Sequence, residues 1–175
     1  MHKRGQIVGM PIVYISVIIM MALVLYFGFG SLTKIIHAKD ITQVSTFVLD
    51  LERDIDVVYH YDSGSAISFQ SNALPKKVTH VCFFNPGQSF TLSTDALAAL
   101  DEELYYYMDT SIYENLFLLP IAAYPPPYPD YTLEEFTHDV TQQNPLCIEN
   151  TNKGVSLVLY NYLADNTPKV GVRLP

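Results

Sequence analysis

The chain has two cysteines, and they are the residues with the most definite chemistry. Cys82 lies within the apolar run of residues 81–83, and Cys147 lies within the apolar run of residues 146–148. Such runs are typical of interior strands, and neighbouring strands can bring two Cα atoms within the roughly 4.4–6.8 Å that a disulfide needs. We therefore predict an intramolecular disulfide between Cys82 and Cys147. Two buried free cysteines are the alternative, because cysteine packs like a small apolar residue.

Metal binding and catalysis have little support in the residue pattern. His80 would share a strand face with Cys82, but these two residues and Cys147 lack the ligand spacing of a zinc site. The sequence contains no Gly-x-Ser-x-Gly, phosphate-loop or His-Glu-x-x-His motif, and His60 and His138 are isolated in it. We therefore expect a non-catalytic protein with no metal and no cofactor.

Charge is distributed unevenly along the chain. Residues 1–40 carry four basic side chains and one acidic side chain, whereas residues 41–175 carry six basic and 17 acidic side chains. Nucleic-acid binding depends on a basic surface that neutralises phosphates. The acidic C-terminal part is therefore not expected to bind nucleic acid.

A long uncharged segment lies near the N-terminus. No charged residue occurs between Arg4 and Lys34, and residues 12–32 are mostly apolar. About 20 such residues cross the hydrocarbon core of a bilayer as a helix, whereas the apolar region of a cleaved secretory signal has only about 7–15. The basic residues before the span favour a cytoplasmic N-terminus. We therefore predict a single-pass protein of the cell membrane, with residues 6–33 in the lipid bilayer and an extracellular C-terminal domain.

An apolar stripe follows the membrane segment. Residues 31–63 contain neither glycine nor proline, so nothing in this stretch forces the helix to end. Apolar residues recur there at alternating spacings of three and four, which is the seam of an amphipathic helix. The seam consists of Ile41, Val44, Val48, Leu51, Ile55 and Val58. We predict an amphipathic stalk helix over residues 34–62, whose seam either packs on the protein's own C-terminal sheet or is an assembly face for a neighbouring subunit.

Residues 63–175 have the pattern of a small antiparallel β-rich domain, in which short apolar runs alternate with turn residues. Strands are predicted at residues 66–70, 77–84, 115–119, 146–149, 155–162 and 169–174. Turn residues at 152–154 and 165–166 predict that the last three strands form an antiparallel meander.

Two helices are predicted to pack against this sheet. Ser93 or Thr94 can cap a helix that runs to about Met108 and carries apolar residues on one face. A second short helix is expected after Thr132, because two acidic residues follow in what would be its first turn. The Tyr- and Pro-rich residues 124–131 should be extended and stiff. The fold class is therefore α+β, with a long N-terminal helix before a β-rich domain that carries one or two packed helices.

Residues 3–7, Lys-Arg-Gly-Gln-Ile, directly precede the apolar helix, and here the chain resembles archaeal type IV pilin-like proteins with a class III signal peptide. In that family a prepilin-type peptidase cuts a short basic leader after its glycine, and the apolar helix remains as the assembly scaffold. The resemblance implies a leader of residues 1–5 and cleavage between Gly5 and Gln6. It also implies copies of the chain, or other pilin-like subunits, as partners. Pilins usually have a glutamate at the fifth mature position, where this chain has Met10.

Two functions are compatible with these features. The first is a membrane-anchored, pilin-like structural subunit of the cell surface or of a secretion system, which is not catalytic. The second is a single-pass, membrane-anchored extracellular binding or scaffolding module that does not polymerise, and the missing glutamate favours it. An anchored hydrolase is a third alternative, for which no nucleophile or metal motif is present.

Overall fold

The structure is a computed structural model that describes most of the chain. The described residues are 9–110, 113–121, 130–134, 136, 143–151, 153–164 and 166–175. The chain divides into two compact units, Met1–Thr42 and Gln43–Pro175. The expected processing residues Gly5 and Gln6, and residues 124–129 of the Tyr- and Pro-rich segment, lie outside the described residues.

Helix α1 extends over Gly9–Tyr59, and its residues are divided between the two units. Pro11 lies near its start, where proline is tolerated because the first N–H groups of a helix have no intrahelical acceptor. In the first unit, Pro11–Phe29 has a mean hydropathy of 2.5 and is long and apolar enough to cross a membrane. In the second unit, the chain turns after α1 through Gly64, whose φ of 94° lies in a region that favours glycine. The structure thus contains the predicted N-terminal apolar helix.

The second unit contains two small antiparallel sheets and two further helices. The strands are β1 Ala66–Ser71, β2 His80–Phe83, β3 Leu116–Leu119, β4 Asp130–Tyr131, β5 Leu146–Glu149, β6 Val155–Ala164 and β7 Thr167–Arg173, and the helices are α2 Thr94–Leu100 and α3 Leu104–Thr110. The three-stranded sheet has the order β1–β6–β7, and the four-stranded sheet has the order β4–β3–β2–β5. These elements confirm the predicted α+β class.

The predicted meander of the last three strands is wrong. β6 and β7 form the expected hairpin, in which Ala164 pairs with Thr167 and Asn166 has a left-handed φ of 61°. The expected turn before β6 is also present, since Thr151 and Gly154 form an antiparallel bridge. β5, however, pairs with β2 in the other sheet, so this turn takes the chain from one sheet to the other. Local alternation predicts strands, but it does not select their partners.

The single helix predicted after Ser93 is divided at Asp101. Ser93 is the N-cap of α2 as expected, because its Oγ accepts a hydrogen bond from the backbone N–H of Ala96. Asp101 is extended and follows α2. Its carboxylate accepts hydrogen bonds from the backbone N–H groups of Glu103 and Ile121. A side chain that binds backbone groups in this way competes with the helix, which therefore ends and restarts as α3.

The second short helix predicted after Thr132 is not found in the described residues that follow. Leu133 is not helical: its N–H donates to Oδ1 of Asn115 at 2.7 Å, and its carbonyl accepts from Nδ2 of Asn115 at 2.9 Å. A side-chain amide thus binds both backbone groups of this residue. Further along the chain, Phe136 forms a bridge with Val170 of β7. Part of the predicted helix lies outside the described residues.

The four-stranded sheet separates two apolar clusters. Successive residues of β2 belong to different clusters: Val81 and Phe83 to the first, and Cys82 to the second. The first cluster also includes residues of α1 and of the three-stranded sheet, whereas the second includes Leu97 of α2 and Leu104 of α3. This division follows from the period of two that directs successive strand side chains to opposite faces.

The predicted seam of α1 is buried in the first cluster. Within the second unit, the seam residues are between 0% and 6% exposed: Val44, Val48, Leu51, Ile55 and Val58. Ile41, the remaining seam residue, belongs to the first unit and is intermediate in exposure. The expectation that this seam is an assembly face is therefore corrected, because the buried side chains already pack within their own domain. The alternative expectation, packing on the protein's own sheet, describes the structure.

A buried asparagine on β6 holds the end of α1. Nδ2 of Asn161 lies 3.0–3.1 Å from three carbonyl oxygens, those of Val58, Tyr59 and Tyr61. The N–H of Asn161 also donates to the carbonyl of Ser65 at 2.9 Å. The last carbonyl groups of a helix have no intrahelical donors, so a distant strand supplies the C-terminal cap of α1.

Asn161→Asp should destabilise the second unit. The change keeps the size of the side chain but replaces a donating amide with a carboxylate that faces three carbonyl oxygens. We expect the free energy of unfolding to fall by roughly 2–4 kcal/mol. The measurement is chemical denaturation of the full chain in detergent, followed by circular dichroism. Asn72→Asp, at an exposed position, is the matched control, and an equal midpoint for the two variants would contradict the capping role.

Candidate functional site

A disulfide joins β2 to β5, as predicted from the sequence. Cys82 and Cys147 are opposite each other in the antiparallel register and their sulfur atoms are bonded. Their Cα atoms are 4.0 Å apart, which is slightly shorter than the range expected from the sequence. Cys82 is fully buried in the second cluster, whereas Cys147 is intermediate in exposure. Both cysteines of the chain are therefore oxidised, and neither is a thiolate ligand or nucleophile.

A small cleft lies beside the more exposed end of this disulfide. Its volume is about 290 Å³, and its lining includes His80, Cys147 and Glu149. His80 is opposite Glu149 in the register, and its Nδ1 lies 3.1 Å from Oγ1 of Thr79. Among the residues that the structure describes, no three His, Cys, Asp or Glu side chains form a group that could hold a metal ion. The cleft therefore has a polar rim next to the disulfide but no set of metal ligands.

The apolar segment of the first unit is exposed along its whole length. No residue of Pro11–Phe29 is buried, and Val24, for example, is 69% exposed. Soluble monomers rarely expose contiguous apolar surface of this extent. Its 19 residues span about 28 Å at 1.5 Å per residue, close to the roughly 30 Å thickness of a hydrocarbon core. This segment is therefore suited to an apolar environment, either lipid or another apolar helix.

The outward side of the three-stranded sheet is aromatic and basic. We name it the tyrosine–arginine face, and it consists of Tyr160, Tyr162, Lys169, Gly171 and Arg173. In the register of β6 and β7, Tyr160 lies opposite Gly171, and Tyr162 lies opposite Lys169. The alternate residues of β6 point inward and are buried. The same alternation that builds the core therefore collects these five residues on the outside.

Tyr160 determines the geometry of this face. Its ring lies against Gly171, where an added Cβ would be only 2.6 Å from Cζ of the tyrosine. Cζ of Arg173 is 5.3 Å from the centroid of the Tyr160 ring, which is a cation–π distance. The ring of Tyr162 is 5.7 Å from the ring of Tyr160. Glycine at position 171 thus allows the tyrosine ring to lie close to the strand and to support the guanidinium group.

The tyrosine–arginine face is basic in an otherwise acidic unit. No outward-facing position on β1, β6 or β7 is Asp or Glu. In the described part of the chain, no carboxylate forms a salt bridge with Lys169 or Arg173. Residues 41–175 as a whole carry 17 acidic and six basic side chains. These two cations can therefore pair with an anionic partner without breaking an existing ion pair.

This face is not apparent from the sequence alone. The alternating residues 155–162 predict a strand, but alternation does not show that its tyrosines lie beside the basic residues of the next strand. The sequence does show that Lys169, Gly171 and Arg173 lie on the same face of one strand, because they are two residues apart. To place them beside the tyrosines, one must also know the register between β6 and β7, which is set by the two-residue connection after Ala164.

Comparisons with known proteins find no match. No family model matches the chain, and no curated protein or solved structure is significantly similar to it.

Removing the disulfide should lower the stability of the second unit. The two cysteines are 65 residues apart in sequence, and the chain-entropy model assigns a loop of this length about 4 kcal/mol. We expect Cys82→Ala combined with Cys147→Ala to lower the free energy of unfolding by about that amount in chemical denaturation. Wild-type protein treated with a reducing agent should have a similar midpoint to the double variant. If neither change moves the midpoint, the disulfide does not stabilise the fold.

Proposed function

We propose that this chain is a membrane-anchored, pilin-like structural subunit of the cell surface or of a secretion system, and that it is not catalytic. The different environments of two parts of α1 carry this proposal. Pro11–Phe29 is apolar and exposed, whereas the seam from Val44 to Val58 is buried in the core of the second unit. The seam of the second part is therefore buried within the domain, whereas the side chains of the first part are available to contact the bilayer and neighbouring subunits.

The proposed orientation has the N-terminus in the cytoplasm and the second unit outside the cell. Lys3 and Arg4 precede the apolar segment, and basic residues beside a span favour the cytoplasmic side. The bond between Cys82 and Cys147 also favours the exterior, because disulfides persist in oxidising compartments and are rare in the cytosol. In this arrangement, residues 34–62 are a stalk helix that continues from the membrane segment.

Removal of a leader is part of the proposal. The resemblance of residues 3–7 to a class III signal peptide supports cleavage between Gly5 and Gln6 by a prepilin-type peptidase. The apolar helix would remain in the mature protein, where it would pack against copies of itself or other pilin-like subunits. Its side chains are exposed, so they are available for the close packing by which helices associate in membranes.

A second candidate is a single-pass, membrane-anchored binding or scaffolding module that does not polymerise. Met10 favours it, because the glutamate usual in pilins at this position can neutralise the N-terminal amine of a neighbour. The two candidates share the anchor and differ in self-association.

A membrane-impermeant, amine-reactive biotin reagent should label the second unit in intact cells. Lys76 and Lys153 are exposed there and accessible to the reagent from outside. We expect mass spectrometry to find both biotinylated lysines before lysis, whereas a cytoplasmic control protein becomes labelled only afterwards. Labelling of these lysines only after lysis would contradict the proposed orientation.

The mass of the native N-terminus should correspond to a chain that begins at Gln6. Gly5→Val should block the peptidase and retain the leader, which adds the mass of five residues.

Electron microscopy of material sheared from cells should then show filaments that contain the wild-type chain and are absent for Gly5→Val. A mature chain that begins at Gln6 but forms no filaments would favour the non-polymerising module, and an intact Met1 would contradict the processing pathway.

A further inference from the structure

We infer that the tyrosine–arginine face docks against an acidic groove on the second unit of another copy of this chain. The acidic groove is lined by Glu52, Ile55, Asp56, Thr132 and Glu134 and has a volume of about 400 Å³. The inference rests on the proposed structural function and specifies one contact between subunits. It adds an electrostatic contact between domains to the association of apolar helices.

The basic side of the contact is already positioned in the single chain. Arg173 lies over the Tyr160 ring, so its guanidinium group loses less conformational freedom when it binds. Lys169 is four residues away on the same strand face, about 13 Å along β7 at 3.3 Å per residue. Neither cation has a carboxylate partner in the described part of its own chain. The face therefore presents two separate positive charges to a partner.

The acidic side of the contact joins two distant parts of the sequence. Glu52 and Asp56 are one turn apart on α1, and Glu134 faces the same groove from the segment after β4. All three side chains are exposed. Ile55, by contrast, is 3% exposed and belongs to the first apolar cluster. Asp56 lies 3.5 Å from Nδ1 of His60, and the exposed carboxylates of this groove can pair with a basic partner.

A second copy of the chain is the partner that the charges favour, because the chain itself carries both a basic face and an acidic groove. The two surfaces have opposite charge, belong to the same unit, and form no ion pair with each other in the described residues. A contact between two different surfaces of identical subunits is heterologous, and repetition of such a contact extends an assembly unless the rotation closes a ring. This property suits the proposed structural subunit.

The test uses charge exchange in the full chain, expressed in cells and cross-linked with a zero-length carbodiimide reagent. The face variant is Lys169→Glu with Arg173→Glu, and the groove variant is Glu52→Lys with Glu134→Lys. Each variant alone should reduce the yield of cross-linked dimer at least about tenfold, because like charges then meet at the contact and, in the face variant, the Lys169 amine that the reagent joins to a carboxylate is also lost. Co-expression of the two variants should restore the yield to within about twofold of wild type, since both possible contacts between them are again complementary.

Matched controls make the same changes in charge at other exposed positions. Lys76→Glu with Lys153→Glu controls for the face variant, and Glu102→Lys with Asp109→Lys controls for the groove variant. Both controls should give the wild-type yield.

In a mixture of ¹⁴N- and ¹⁵N-labelled wild-type chains, mass spectrometry should find cross-links between Lys169 of one isotope and Glu52, Asp56 or Glu134 of the other.

The outcomes separate this contact from the proposed function. If wild-type chains form filaments but the face variant cross-links as well as its control, the inferred contact is wrong and the structural function stands. If the two variants do not restore each other, the inference is also overturned, and an acidic glycan or lipid headgroup becomes the candidate for the tyrosine–arginine face. If wild-type chains form neither filaments nor intermolecular cross-links, the proposed function and the inferred contact both fail.

Discussion

Burial of one face of α1 is the interaction on which the second unit depends. The two sheets are separate in hydrogen bonding, yet the inward side chains of both belong to one cluster with this helix. Phe47 of α1 and Phe69 of β1 make an edge-to-face contact with ring centroids 5.8 Å apart. At the end of the helix, Asn161 of β6 binds the last carbonyl groups. The amphipathic part of α1, whose seam was expected to pack either on the protein's own sheet or on a neighbouring subunit, is therefore part of the domain's core.

Much of the local structure could be predicted from the sequence, because it depends on periodicity and short-range chemistry. The paired cysteines, the α1 seam and the hairpin after β6 are examples. The partners of β5 and the break at Asp101 could not be predicted in this way. β5 pairs with a strand more than 60 residues earlier in the chain, and Asp101 binds the backbone of Ile121. Both features depend on contacts that exist only after the chain has folded. The tyrosine–arginine face is predictable only in part. The alternation within each strand shows which residues share a face, but the pairing of β6 with β7 is known only from the folded structure.

Buried asparagines hold irregular backbone in ways that the sequence pattern does not predict. Asparagine is mostly an exposed residue in proteins, yet Asn115, Asn144 and Asn161 are at most 7% exposed. Nδ2 of Asn144 lies within 3.4 Å of the carbonyl oxygens of three residues in the segment 85–89, and its Oδ1 accepts from the N–H of Asn85. An amide side chain offers the same donor and acceptor as a peptide group, so it can satisfy irregular backbone in the interior. The segments between strands are therefore held by side chains where no neighbouring strand is available.

The disulfide between β2 and β5 also limits how far the chain can extend under mechanical load. It closes a loop between two residues 65 positions apart. A pulling force on the two ends of the chain cannot straighten this loop while the bond is intact. At roughly 3.4 Å per residue, the bond withholds about 220 Å of extension. Under such a load the chain would lengthen only through the segments outside the loop, and β2 and β5 would stay together even if their hydrogen bonds broke.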